Sequence, residues 1–268
     1  MEISEQDRSA AEERKEQSGF TFVVLPDDGK QFANFTHKDV QAKFFQWGLN
    51  DTNLSLVKYR FNQPFHLIGA DNFLKDLFND KTVLSTFNPV AYTLNCSSVK
   101  YKKLNAEVIN LAWFDFLIEK GIVMDDYRIK ADYDEYFEGI QLSDRLRKAM
   151  LWEESEYYCE LQDDKIQNEF IYKLFQMVFI GGSMCQFDEN LKEYLEVIKK
   201  LYKDLITVAK DPETGEIKVM SQVFLIEQID GLDKLFPMPY HPQNWFFVIV
   251  DPIHWHCTFL YHKWTSFW

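Results

Sequence analysis

Residues 246–264 read FFVIVDPIHWHCTFLYHKW, and the first half of this stretch decides the fold. Phe246-Phe247-Val248-Ile249-Val250 has no polar residue at alternate positions. An apolar run this short, bounded by Asp251-Pro252, predicts a strand covered on both faces and lying inside a sheet. Cys257 to Tyr261 is a second apolar run, so the two should pair as a hairpin around Asp251-Pro252. A second hairpin is expected upstream. There 206–209 and 217–226 flank Asp211-Pro212-Glu213-Thr214-Gly215, a strong turn signal.

Before these strands the period is helical. Ile166, Phe170, Leu174 and Val178 form one stripe, and Ile171, Phe175 and Phe179 widen it. A stripe this wide predicts a helix buried on most sides. Asp164 to Gln167 resembles a capping box at its start, and Gly181-Gly182 ends it. Asp188 is expected to cap a second helix, in which Leu191, Leu195, Ile198, Tyr202 and Leu205 line one face. The fold class is therefore α+β: an antiparallel sheet in the C-terminal half packed against a buried helical hairpin, with a mixed helix and strand N-terminal part.

The N-terminal part reads as a series of short elements. Residues 1–18 are polar, and are expected to be a disordered or frayed acidic tail. Residues 19–268 then form a single domain. Residues 20–25 suggest a strand before Pro26-Asp27-Asp28-Gly29. Thr36 is placed as the cap of a helix through Trp47, with Gly48 as its stop. Strands are expected around Leu54 to Tyr59, at 83–87 and at 91–94, and a helix at 70–78. Residues 104–119 predict another helix because Leu104, Val108, Leu111 and Ile118 recur at near-helical spacing. Residues 127–139 read as irregular, and a short helix follows Ser143.

Composition excludes several functions. The 268 residues carry a net charge of −13, with a pI near 4.9, which disfavours nucleic acid and anionic membranes as partners. The charge is concentrated in 125–164, which holds 13 acidic against five basic side chains. This is either a solvated face or a surface for a basic partner. No apolar run reaches the length of a membrane span. The opening residues do not read as a signal peptide. The four cysteines, Cys96, Cys159, Cys185 and Cys257, are expected to be free and buried in a reducing compartment.

Candidate chemistry is sparse. His241, His254, His256 and His262 cluster near the C-terminus. A metal held by His241, His254 and His256 near Asp251 is the weak alternative to edge histidines that cap and hydrogen-bond. On one strand, His256 and His262 would lie about 20 Å apart at ~3.3 Å per residue, too far to share an ion. No His-x-Asp or His-x-Glu pair supports an iron dioxygenase. Gly181-Gly182-Ser183 follows a helix rather than a strand and lacks a neighbouring Lys, so it reads as a helix stop, not a phosphate loop. Cys185 reads as structural, and the cysteine spacing fits no zinc pattern. No Gly-x-Ser-x-Gly elbow occurs. Asp132-Tyr133-Asp134 reads as a solvated face rather than a cation site. Trp245, Trp255, Trp264 and Trp268 read as core packing, or as an aromatic anchor surface for a protein partner. No catalytic residue, cofactor site or interaction residue is assigned.

The chain resembles the cilia- and flagella-associated protein 300 family. The resemblance rests on Phe175, Gly181-Gly182, Cys185-Gln186, Tyr194-Leu195, Tyr202-Lys203-Asp204-Leu205, Val208 and Pro212. Val250-Asp251-Pro252-Ile253, His256 and Leu260-Tyr261-His262 add to it. Weaker similarity covers Gln46-Trp47, Asp71-Asn72-Phe73 and Ser143-Asp144-Arg145-Leu146-Arg147. The resemblance implies a non-enzymatic cytoplasmic factor for assembly and delivery of outer and inner axonemal dynein arms in motile cilia. It implies no cofactor. Its implied partners are other dynein assembly factors, axonemal dynein subunits and the intraflagellar transport machinery, with no nucleic acid or membrane. The alternatives are a metal- or small-molecule-dependent enzyme of unrecognised type, and a structural axonemal component.

Overall fold

The structure is a computed structural model and describes residues 19–26, 30–50, 52–87 and 94–265. The expected acidic tail, the Asp27 to Gly29 turn, most of the strand expected at 91–94, and Trp268 lie outside them. Six strands form the main antiparallel sheet: β1 (Phe22–Val24), β2 (Leu54–Phe61), β3 (Val99–Leu104), β8 (Gln222–Ile229), β9 (Trp245–Asp251) and β10 (His256–His262). Their order is β1-β2-β10-β9-β8-β3. Two small hairpins are separate: β4 (Ala131–Phe137) with β5 (Ile140–Asp144), and β6 (Val208–Lys210) with β7 (Ile217–Val219).

β9 is central, as its unbroken apolar run predicts. Trp245, Phe247 and Ile249 enter one core, while Phe246, Val248 and Val250 enter the other. Each buried aromatic or branched side chain contributes about 1.5–3 kcal/mol. β10 pairs with β9 from His256↔Asp251 to His262↔Trp245, which is the predicted hairpin. The predicted sheet is present. The N-terminal half supplies three of its strands, including both edges.

Helices cover both faces. On one lie α1 (Lys38–Gln46), α5 (Arg145–Leu151), α7 (Phe170–Ile180) and α8 (Leu191–Leu205). On the other, α2 (Ala70–Asn79) packs Phe73, Leu74, Leu77 and Phe78, with α3 (Lys81–Phe87) following it. All eleven residues of α7 are buried, as the width of its stripe predicts.

The free edge of β1 is closed by side chains. Asp76 accepts from Phe20 N at 2.9 Å, and Asp80 accepts from Phe22 N at 3.2 Å. Satisfying these outward donors removes a template for unwanted strand pairing.

Several expected elements differ. Residues 83–87 are helical, in α3. Asp80 accepts from Thr82 N and Val83 N and caps that helix, overriding β-leaning side chains. Residues 104–119 are not one helix. Leu104 ends β3, and only a short 3₁₀ turn and α4 (Phe116–Glu119) follow. The cause is tertiary, because Asn105 bridges Glu169, and the Glu169 carboxylate accepts from Glu107 N and Val108 N. The helix expected from Asp164 is interrupted. α6 (Asp164–Gln167) is capped by Asp163, and Asn168-Glu169 separates it from α7. His37, not Thr36, caps α1, and Asn190, not Asp188, caps α8. Residues 127–139 are not wholly irregular, since they contain β4. Cys96 and Cys257 are buried, but Cys159 is exposed and Cys185 only partly covered.

Candidate interaction surface

Gly181-Gly182 packs against the end of α1 rather than forming an open loop. Gly181 has φ 68° and Gly48 φ 70°, a region L side chains rarely adopt. Gly182 N donates to Trp47 O at 2.9 Å, and Gln186 N donates to Gln46 O at 2.8 Å. Trp47 then organises the segment. Its indole stacks on Tyr194 at 4.5 Å, and its Nε1 donates to Asp188 at 2.8 Å. Asp188 also takes Lys43 at 3.0 Å, which is why it is unavailable as the α8 cap.

Beneath this segment lies a buried ion pair. Arg147 is 1% exposed and pairs with Asp144, which also caps α5 by accepting from Arg147 N at 2.8 Å. Arg147 donates to Phe179 O at 3.0 Å, and its guanidinium lies 3.4 Å from the Phe187 ring centroid. Burial opposes the Arg147 charge, while Asp144 supports it and holds its pKa above the usual value. Burial pushes the Cys185 thiol up to about 12 against the pull of Arg147, so it is protonated at neutral pH.

The histidines divide between the two ends of β10. His254 Nδ1 contacts Asp251 at 2.7 Å, and its ring lies 6.1 Å from that of His256. His241 is at the other end, stacked on Trp264 at 4.4 Å and bonded to Glu138 O. The structure therefore does not bring His241 to His254 and His256. Among the described residues no group of three or more His, Cys, Asp or Glu could hold a metal ion. His262 is fully buried, bonds Gln243 O through Nδ1, and is pushed down to about 4 by burial. Trp245 is buried, Trp264 half-buried, and Trp255 exposed with φ 57°.

The β4–β5 hairpin is the main exposed feature beside this segment. Tyr133 is 87% and Tyr136 71% exposed, interleaved with Asp132, Asp134 and Glu135. Two clefts of about 380 and 370 Å³ lie between the hairpin and the loop after Gly182, and Phe187 lines both. The larger is also lined by Met184, 70% exposed with φ 63°. Sequence reading named no interaction residue. The signal it contained was Tyr-Asp-Glu-Tyr-Phe at 133–137, whose aromatics flank a pair of acids and are all exposed.

The family model for cilia- and flagella-associated protein 300 matches residues 19–262. This chain belongs to the cilia- and flagella-associated protein 300 family. A Paramecium tetraurelia protein of that name is 32% identical over 243 residues, 90% of each chain. Another, from Chlamydomonas reinhardtii, is 31% identical over 248 residues, 85% of this chain and 93% of its own. No solved structure matches. The family match extends beyond the segments that suggested it and spans the whole sheet. No helix among the described residues is long and apolar enough to cross a membrane.

Proposed function

We propose that this chain is a non-enzymatic factor that binds other proteins in the cytoplasm while outer and inner dynein arms of motile cilia are assembled and delivered. Its partners in this reading are other assembly factors, dynein subunits and the intraflagellar transport machinery. The observation that carries it is membership, over residues 19–262, of a family associated with cilia and flagella. The acidic, aromatic β4–β5 hairpin supports it, since exposed tyrosines flanked by like charges suit a protein partner better than a small molecule. Deletion of the gene in ciliating cells, with imaging of the dynein arms, tests the proposal. Loss of both arm types is expected, and normal arms would refute it.

A structural axonemal role is the second reading. Cell fractionation separates the two: a mainly cytoplasmic, detergent-soluble pool favours assembly, and a pool retained on axonemes favours structure.

A further inference from the structure

The hairpin leaves one strand edge unpaired where the two clefts meet it. Its turn, Glu138-Gly139, has φ 50° and 78°, the pattern of a two-residue type I′ turn. Such a turn makes Phe137↔Ile140 a hydrogen-bonded pair, so Tyr136↔Gln141 is a non-bonded pair. The backbone N–H and C=O of Gln141 therefore point away from β4, and the regular burial alternation of β5 carries this to Ser143, which lies opposite a bulge in β4. No third strand joins this sheet among the described residues, and neither residue has another backbone partner there. Gln141 lines the larger cleft and Ser143 the smaller.

We propose that the free edge of β5 receives an extended segment of a partner protein, added as a third strand, with apolar side chains at alternate positions and basic residues between and beside them. This rests on the protein-binding reading above. The spacing fits the edge, because side chains two residues apart on an added strand are ~7 Å apart and would enter one cleft each. Ile180 and Phe187 give the larger cleft apolar lining, and Phe187 lines the smaller as well.

Charge selects the occupant. Glu138 and Glu189 line the clefts, Asp134 and Glu135 lie on the neighbouring strand, and none of the four is ion-paired within the described residues, whereas Arg128 and Arg147 of the smaller cleft are already paired with Asp126 and Asp144. A basic segment is steered in, whereas like charges are rejected. That disfavours a second copy of this chain, with net charge −13, and its own residues 1–18, with six acidic and three basic side chains.

The test uses the full chain and three nine-residue peptides in fluorescence anisotropy: alternating Lys and Val, the same N-methylated at every residue, and alternating Glu and Val. We expect the first to bind at least tenfold more tightly than either other. Hydrogen exchange at Gln141 N and Ser143 N should slow when it is bound. Gln141→Pro removes the outward donor at an edge position where proline is tolerated, and should weaken binding at least tenfold. Should that variant not fold, Glu135→Lys with Glu189→Lys should weaken it at least threefold. Equal binding of the N-methylated peptide, no binding of the Lys peptide, or unslowed exchange at Gln141 and Ser143 overturns the proposal. Rescue of dynein arms in deleted cells is read separately. Arms restored by the wild-type chain alongside a failed peptide test sink the edge site alone. Normal arms without the protein sink the assembly reading and leave the edge site standing.

Discussion

Gly48 and Gly182 lie backbone against backbone. A Cβ added at Gly182 would fall 2.1 Å from Gly48 O, and one at Gly48 would fall 2.3 Å from Ser183 O. Neither obstacle is a flexible side chain end, so the α1 terminus and the Gly-Gly segment must separate to admit a methyl group. Gly48→Ala also incurs the cost of positive φ, about 1–2 kcal/mol. We expect Gly182→Ala to lose roughly 3 kcal/mol and Gly48→Ala more, in urea unfolding. Gly69→Ala meets nothing within 4 Å and serves as the control, with little change.

The Asp144–Arg147 pair is expected to be more costly to break than to replace. Arg147→Ala leaves Asp144 buried without its partner and should lose about 3–5 kcal/mol. Asp144→Ala removes both the counter-charge and the α5 cap, so its loss should be at least as large. Replacing both with apolar residues, Arg147→Met with Asp144→Leu, should lose less than the sum of the singles. Equilibrium unfolding of the parent, Arg147→Ala, Asp144→Ala and the double alanine variant closes the cycle, and additive losses would contradict the coupling.

Glu169 tests the break between α6 and α7. Its carboxyl, raised by burial despite the bonds from Val108 N and Glu107 N, holds residues 107 and 108 out of a helix. Glu169→Gln keeps an acceptor and should change stability by less than about 1 kcal/mol. Glu169→Ala leaves two donors without their acceptor and should lose about 2–3 kcal/mol. Thermal unfolding distinguishes the two.

His262 should make stability fall with acid. Its folded pKa, about 4, lies below the ordinary 6.5 because burial disfavours the imidazolium. The unfolded chain therefore takes up a proton that the folded chain refuses. This stability is complete above pH 6.5 and is lost as pH falls toward 4, to a limit of ~3 kcal/mol. His241 and His256, also lowered first by burial, act in the same direction. In urea titrations across this range, His262→Gln should show a flatter pH dependence than the parent. An unchanged slope would remove His262 as a cause.

Tyr133 and Tyr136 contribute surface rather than core. Changing both to Ser should alter unfolding free energy by within ~0.5 kcal/mol each. The same change should reduce recovery of assembly partners in proximity labelling, and undiminished recovery would move the docking surface elsewhere.

Some of this was legible in the residues. The β9 run was readable because both of its faces are apolar in the chain itself, and α7 because its stripe nearly encircles the helix. Cap positions were not readable. Asp188 is a sound cap by type, yet Trp47 and Lys43, far away in sequence, recruit it. The histidines looked like a cluster in one dimension, and β10 divides them between its two ends.

The sequence by itself determined the family, the α+β class and which segments are buried, because apolar periodicity and turn residues are local properties of the chain. Tertiary structure alone decided where 104–119 leaves the helical path, why glycines occupy 48 and 182, and which edge of the hairpin stays open. Each of those outcomes depends on a group brought close from a distant segment: Glu169 to Glu107 N and Val108 N, Gly48 to Gly182, and Phe187 to the free edge of β5.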